Sequence, residues 1–359
     1  MSTASKGGAM VTVRAPGRVN LIGEHTDYND GFMLPAAVGL YTTVRGRRAG
    51  DNGVVFRQAR SDAEREADNA YSRGVLIELE RAGVELPPSE LTVDSTLPIG
   101  GGLSSSASFE VAVALTMLAL ADATLDRMDV ARLCQRAENE HVGIRSGIMD
   151  QFAVLFGRSR HALLLDSRTL AWRAIAIPEN ACIVVCNTMV KHELASGEYN
   201  RRRAQCEAAV TALQRWYPDA DALRDVTVDQ LFDHRDAIEP VAYRRARHVV
   251  TEDVRVLQFA DAMEAGDLAR AGELMNASHE SLRDDYEVSS AELDLLVAMA
   301  RDFGVFGARM TGGGFGGCTV NLVDSAHAPA LIGYVRERYR AQTGIIPEIY
   351  DGTPVDGAA

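Results

Sequence analysis

At 359 residues the chain is too long for one ordinary hydrophobic core and reads as two domains of roughly 150–200 residues each. Its 47% apolar and 24% charged residues are those of a soluble globular protein, and its longest apolar run, residues 111–121, is far short of the ~20 a membrane span needs. A formal net charge of −13 excludes a general surface for nucleic acid or anionic membrane, while leaving room for a local positive pocket.

In chain order, residues 1–9 are small and polar, without the apolar centre of a signal peptide, and read as a frayed leader. Alternating apolar stretches at 11–15, 37–45, 53–58 and 91–97 predict strands of a half-buried sheet. Helical periodicity fits 62–82, 104–121 and 126–141, with Asp126 as N-cap of the third. Strands follow at 161–166, 170–177 and 181–187, then helices near 196–216, 240–264, 267–282 and 290–303. Strand 304–311, a glycine cluster, strand 318–323, helix 327–343 and a short strand close the chain. Without regular βαβ alternation, the class is α+β rather than doubly wound. The expected boundary lies after Pro178, giving domains 1–180 and 181–359.

The five cysteines are scattered and form no C-x-x-C pair, which fits buried thiols in a reducing cytoplasm rather than disulfides or zinc. Lysine occurs only at positions 6 and 191, so a Walker-type phosphate lysine is unavailable. A phosphate must then meet arginine, metal or backbone N–H groups.

Four segments carry chemistry. Residues 14–31, RAPGRVNLIGEHTDYNDG, place Arg18, Glu24, His25 and Asp27 around a glycine-punctuated turn. They read either as a solvated loop or as a pocket of donors and acceptors for sugar hydroxyls. Residues 97–108, LPIGGGLSSSAS, follow a strand and open an apolar helix. Such a turn lets backbone N–H groups and a helix N-terminus cradle a polyphosphate, and a serine there can ligate Mg²⁺. Residues 307–318, GARMTGGGFGGC, hold five glycines in six positions, more than a hairpin requires, which points to close backbone approach to a ligand. In residues 138–152, ENEHVGIRSGIMDQF, Asp150 lies in an apolar setting as a helix cap or a functional carboxylate.

Together these segments resemble the galactokinases. The stretch 18–29 is similar to their signature, 100–108 to the phosphate loop shared by the GHMP superfamily (galactokinase, homoserine kinase, mevalonate kinase and phosphomevalonate kinase), and 307–318 to its third motif. Residues 147–152, 196–203 and 278–288 resemble galactokinases in particular, and the likeness runs from about residue 13 to the C-terminus. The resemblance implies an N-terminal domain like the second domain of ribosomal protein S5 and a C-terminal ferredoxin-like domain, with the site between them. It implies ATP-dependent phosphorylation of galactose at the anomeric hydroxyl, the first committed step of galactose catabolism, with ATP and Mg²⁺ required.

Carried over residue by residue, it makes Asp150 the catalytic aspartate with Arg18 beside it, and gives the sugar Glu24, His25, Asp27, Gly147 and Tyr199. Gly100, Gly101, Gly102, Leu103, Ser104, Ser105 and Ser106 match the phosphate cradle, Ser106 and Glu138 the metal ligands, and Tyr71 the adenine pocket. One departure stands out: many galactokinases carry a tryptophan three residues before that tyrosine, where this chain has Asp68. Two other readings remain open: a kinase for another sugar such as N-acetylgalactosamine, which needs space at C2, and a galactose sensor without turnover, which has no need of Asp150 or Arg18. The expected partners are small molecules only, with no nucleic acid and no membrane, and a monomer is the default.

Overall fold

The computed structural model describes residues 9–50, 53–57, 62–98, 100–191 and 195–359, with side chains left out at 62–69, 191, 195 and 196. Strands are β1 (Val11–Asn20), β2 (Phe32–Met33), β3 (Pro35–Arg48), β4 (Val54–Arg57), β5 (Ser89–Ser95), β6 (His161–Asp166), β7 (Trp172–Ala176), β8 (Ala181–Lys191), β9 (Gly307–Thr311), β10 (Gly316–Asp324) and β11 (Glu348–Asp351). Helices are α1 (Asp62–Arg81), α2 (Ser105–Leu120), α3 (Arg127–Arg136), α4 (Met149–Phe156), α5 (Ala195–Leu213), α6 (Val228–Asp233), α7 (Pro240–Ala265), α8 (Leu268–Ser281), α9 (Ala291–Phe303) and α10 (Ala328–Thr343).

Three sheets form, in the orders β1-β3-β5-β4, β2-β6-β7 and β11-β8-β10-β9. Every pairing is antiparallel except β4 with β5. The mixture of helix and sheet is the α+β class read from the sequence. The third sheet is built only from strands that begin at Ala181 or later, and the other two only from strands before it. The chain end returns to the first half: Ala359 pairs with Arg14 in both directions, at 2.9 and 3.1 Å, and the Ala358 amide reaches the Val154 carbonyl at 2.8 Å.

Several predicted elements form for the predicted reasons. The Asp126 side chain caps α3 by accepting from the Met128 amide at 2.8 Å. Gly304, at φ +98°, stops α9 in the left-handed conformation that helix ends favour, so β9 begins at Gly307 and not at 304. The larger difference lies in β1, which runs through Ala15-Pro16-Gly17 to Asn20 where a turn was expected. A register shift between Pro16 and Gly17 makes this possible, because a bulge accepts a residue with no N–H to give. A Cβ at Gly17 would stand 2.3 Å from the Leu97 side chain, so glycine there lets the segment before α2 lie against β1.

A single apolar cluster joins the halves. Val19, Leu21, Ile22, Leu97 and Leu103 pack with Ile183, Val185, Val256, Phe259, Cys318 and Val320, all buried. Burial at roughly 25 cal/mol per Å² makes such a seam costly to open, so the residues on its rim are held in place. All five cysteines are free, four of them buried. No helix among the described residues is long and apolar enough to cross a membrane.

Candidate active site

Arg18 comes from the end of β1, and Asp150 from the first turn of α4, where the positive end of the helix favours a carboxylate. Arg18 Nε and Nη2 both donate to Asp150 Oδ1, at 2.8 and 2.7 Å, and Ser104 Oγ donates to Oδ2 at 2.5 Å. Arg18 Nη1 also donates to the Gly102 carbonyl at 2.5 Å, tying the glycine turn to the same guanidinium. Burial opposes the Arg18 charge, but Asp150, Glu24 and Asp27 outweigh it and hold its pKa above the ordinary value.

A cavity of about 240 Å³ opens beside this pair, of a size for a small ligand and not a macromolecule. Its walls include Glu24, His25, Asp27, Gly147 and Tyr199 on one side and Gly100, Gly102, Ser104, Ser105, Ser106 and Glu138 on the other. Residues spread over more than 180 positions of sequence are thus gathered at one seam. The stretch 18–29 lines a pocket, which decides against the solvated loop.

Two carboxylates differ in what they face. Glu24, only 1% exposed, accepts from the Gly312 amide at 2.6 Å and from Asn20 Nδ2, with Arg309 Nη1 at 3.5 Å. Its oxygens therefore bind the third glycine motif to the first. Asp27 is half-buried, and burial, reinforced by the nearby Asp150 charge, pushes it up to about 6. A Cβ at Gly147 would fall 2.0 Å from Asp27 Oδ2, so glycine is required there for Asp27 to hold its place.

Glu138 sits in the π-helical turn Ala137–Val142 that continues α3. It accepts from Ser106 Oγ at 3.2 Å, Ser146 Oγ at 2.5 Å and Gln151 Nε2 at 3.3 Å. Burial raises its pKa. Gln151 also reaches Glu110, a carboxyl that burial holds well above the ordinary range.

Glycines of the third motif press on the protein's own backbone, and two of the five, Gly312 and Gly313, also line the cavity. A Cβ at Gly312 would meet the Gly102 carbonyl at 2.9 Å, one at Gly317 the Gly101 carbonyl at 3.0 Å, and one at Gly314 the Val288 carbonyl at 2.3 Å. All three have positive φ, between +84° and +87°. The β9–β10 hairpin is thereby pressed onto the glycine turn before α2.

Leu103, Gly101 and Tyr71 do not line the cavity. Leu103 is 1% exposed and serves the seam core, its carbonyl accepting from the Arg18 amide at 3.1 Å. Gly101 packs on Pro98 and the hairpin. Tyr71 packs against the core that includes α1 and α2 residues. The side chain of Asp68 lies outside the described residues. The sequence reading missed Ser146, Arg309 and Gly313; an arginine inside the otherwise uncharged GARMT strand was the available signal for the second.

Family models match along the chain: the galactokinase galactose-binding signature at residues 4–48, the GHMP kinase N-terminal domain at 70–158 and the GHMP kinase C-terminal region at 259–341. A galactokinase of Roseiflexus sp. is 46% identical, over 97% of this chain and 92% of its own. This chain belongs to the galactokinase family. A second galactokinase, from Chloroflexus aurantiacus, is also 46% identical, over 92% and 88% of the two chains. The crystal structure of Lactococcus lactis galactokinase complexed with galactose superposes with a TM-score of 0.92, at 34% identity, covering 98% of this chain and 95% of that one. A mevalonate kinase from L. major, at 20% identity and a TM-score of 0.69, shares the fold. The cavity takes most of its lining from residues before Ala181, joined by Tyr199, Gly312 and Gly313 from after it.

Proposed function

We propose that the chain transfers the γ-phosphoryl group of ATP to the anomeric hydroxyl of α-D-galactose, giving galactose 1-phosphate by direct in-line displacement. The observation that carries this reading is the Asp150 carboxylate, held between Arg18 and Ser104 where the wall of polar side chains meets the glycine turn. Asp150 Oδ1 takes both Arg18 bonds, and Oδ2, which holds only the Ser104 hydroxyl, is the oxygen with a lone pair to accept the O1 proton as O1 attacks phosphorus. Arg18 then faces the charge that spreads over the transferred group. Asp27, Tyr199, Glu24 and His25 hold the sugar, and Gly147 serves it by making room for Asp27.

Mg²⁺ fits the residues present. Ser106 and Glu138 offer oxygen ligands, which suit a hard cation, and Glu110 Oε1 and Gln151 Oε1 beside them are buried acceptors without partners. When bound, the ion would offset triphosphate charge in a site with no lysine. Gly100, Gly102, Ser104 and Ser105 would meet the phosphates through the turn and the start of α2. Glu138→Gln and Ser106→Ala should each raise the Mg²⁺ concentration for half-maximal rate, and an unchanged titration in both would place the metal elsewhere. Free, mostly buried cysteines support a cytoplasmic enzyme.

The test is phosphoryl transfer from labelled ATP over a panel of sugars. Galactose should be used well, 2-deoxygalactose less and glucose almost not at all. Buried polar groups left unpaired by the wrong epimer can give selectivity of about 10⁴. Glucose within tenfold of galactose would overturn the substrate, and a preference for N-acetylgalactosamine would move it.

A further inference from the structure

Behind the sugar wall runs a row of polar groups that no step above uses. His25 Nδ1 stands 2.7 Å from the Tyr28 hydroxyl, that hydroxyl 2.7 Å from the Tyr286 hydroxyl, and the latter 3.1 Å from Cys206 Sγ. Tyr286 and Cys206 are buried in the C-terminal half, whereas Tyr28 and His25 belong to the first motif. The rings also pack on one another, with centroids 4.7 Å apart for His25 and Tyr286 and 5.8 Å for His25 and Tyr28.

At the other end of the row, His25 lines the cavity, and its Nε2 is buried without a hydrogen-bond partner. Burial, with His248, Arg202 and Arg309 nearby, pushes His25 down to about 3, so the ring is neutral at pH 7. A neutral imidazole donates from one nitrogen and accepts at the other. A phenol is a far better acid than a neutral imidazole N–H, and the imidazole nitrogen a far better base than a phenol oxygen. The Tyr28–His25 contact is therefore O–H···N, with Nδ1 accepting. Tyr28 oxygen is then free to accept from Tyr286, and Tyr286 oxygen from the Cys206 thiol, so each group in the row donates toward the ring. His25 is moreover fixed at φ +63°, with its carbonyl held by Asn29 Nδ2 at 2.9 Å, so the backbone that carries the ring is held in place.

We propose that Tyr28, Tyr286 and Cys206 form a hydrogen-bond relay that locks His25 in the Nε2–H tautomer, so that the ring offers the substrate a donor and never an acceptor. The three are positioning residues, and what they imply for the sugar rests on reading the cleft as the galactose site. A hydroxyl or ether oxygen opposite His25 is then recognised as an acceptor, while Asp27 and Glu24 supply acceptors of their own. The wall is thus asymmetric in hydrogen-bond sense as well as in shape.

The direct test is ¹⁵N and ¹³C NMR of the full chain labelled at histidine, with His25 assigned from the spectrum of His25→Gln. The expected result is a neutral ring with Nδ1 unprotonated and hydrogen-bonded and Nε2 protonated, with or without sugar. A protonated Nδ1 would overturn the relay while leaving the kinase reading intact. Conversely, no turnover of galactose would end that reading without touching the NMR result. In kinetics, Tyr28→Phe should raise KM for galactose roughly tenfold, the factor one ordinary hydrogen bond is worth, with kcat within a few-fold. Tyr286→Phe should do less, since Tyr28 still donates to His25. The Tyr28→Phe spectrum should show both tautomers. An unchanged KM together with an unchanged His25 spectrum in Tyr28→Phe overturns the proposal; should that variant not fold, the spectrum of the unaltered chain decides.

Discussion

Along the sugar wall of the cleft the polar atoms belong to side chains, whereas the phosphate wall sets three serine hydroxyls and Glu138 on a turn of glycine backbone. Asp27 and Glu24 present carboxylates, His25 an imidazole and Tyr199 a phenol, and each is fixed by a second residue behind it: Gly147, Asn20 with Gly312, Tyr28, or the ring cluster around His25. The phosphate wall instead brings two glycine segments together at distances that leave no room for a Cβ. A sugar must be told from its epimers, and that needs directional groups which can be left unpaired by the wrong one. A triphosphate needs only dense N–H donors and positive potential, which backbone supplies without selectivity. The two walls should therefore fail differently: the first by losing specificity or affinity, the second by losing the fold around it.

Asp150 stands where the walls meet and should give the largest effect. Asp150→Asn keeps the shape and can still accept from Ser104, but cannot take a proton. Turnover should fall by at least 10²–10⁴, while the sugar and ATP dissociation constants stay within a few-fold. Single-turnover rates with calorimetric binding check both halves of the claim. A rate within tenfold of the parent would show that O1 loses its proton elsewhere.

Gly147→Ala comes next and sharpens the contrast. Its new Cβ would sit on the Asp27 carboxylate, so the methyl should act on the sugar by displacing Asp27. Its loss in kcat/KM for galactose should resemble that of Asp27→Ala, and the double variant should be little worse than either. Such non-additivity is the signature of two residues working through one contact. Additive losses would mean that Gly147 meets the sugar directly.

Much of the fold was legible in the sequence because apolar periodicity and turn chemistry agreed with each other, as at Asp126 before α3. β1 was read too short because Pro16 and Gly17 look like a turn; what keeps the strand going is the bulge and the contact with Leu97, a partner eighty positions away. α4 went unread, since its eight residues are too few to show a period and Asp150 could be a cap or a base on the same letters. The site residues were legible through their motifs, but their connections were not. Nothing in GIMD says that its glycine exists for Asp27, and nothing in GGGFGG says that its glycines face another glycine turn as well as the cavity. Those are pairings between distant segments, and one sequence does not contain them.

The smallest expected effect is one of pH, and it turns on Asp27 alone. Burial first, and the Asp150 charge second, lift its pKa from an ordinary 3.8 to about 6 in the folded chain. To hold sugar hydroxyls as an acceptor, Asp27 must be ionised, so kcat/KM for galactose should fall as the pH drops through about 6. Stability runs the other way. A carboxyl whose folded pKa is raised favours the fold when protonated, a contribution that is complete below about 3.8 and lost as the pH rises through about 6. Asp27→Asn, which carries no charge to bury, should therefore melt higher than the parent at pH 8 and lose that advantage near pH 4. The same variant should be weak on galactose and should no longer show the limb near pH 6. A limb that survives in Asp27→Asn would show that another group carries it, and a parent profile flat from pH 8 to 5 would remove it altogether.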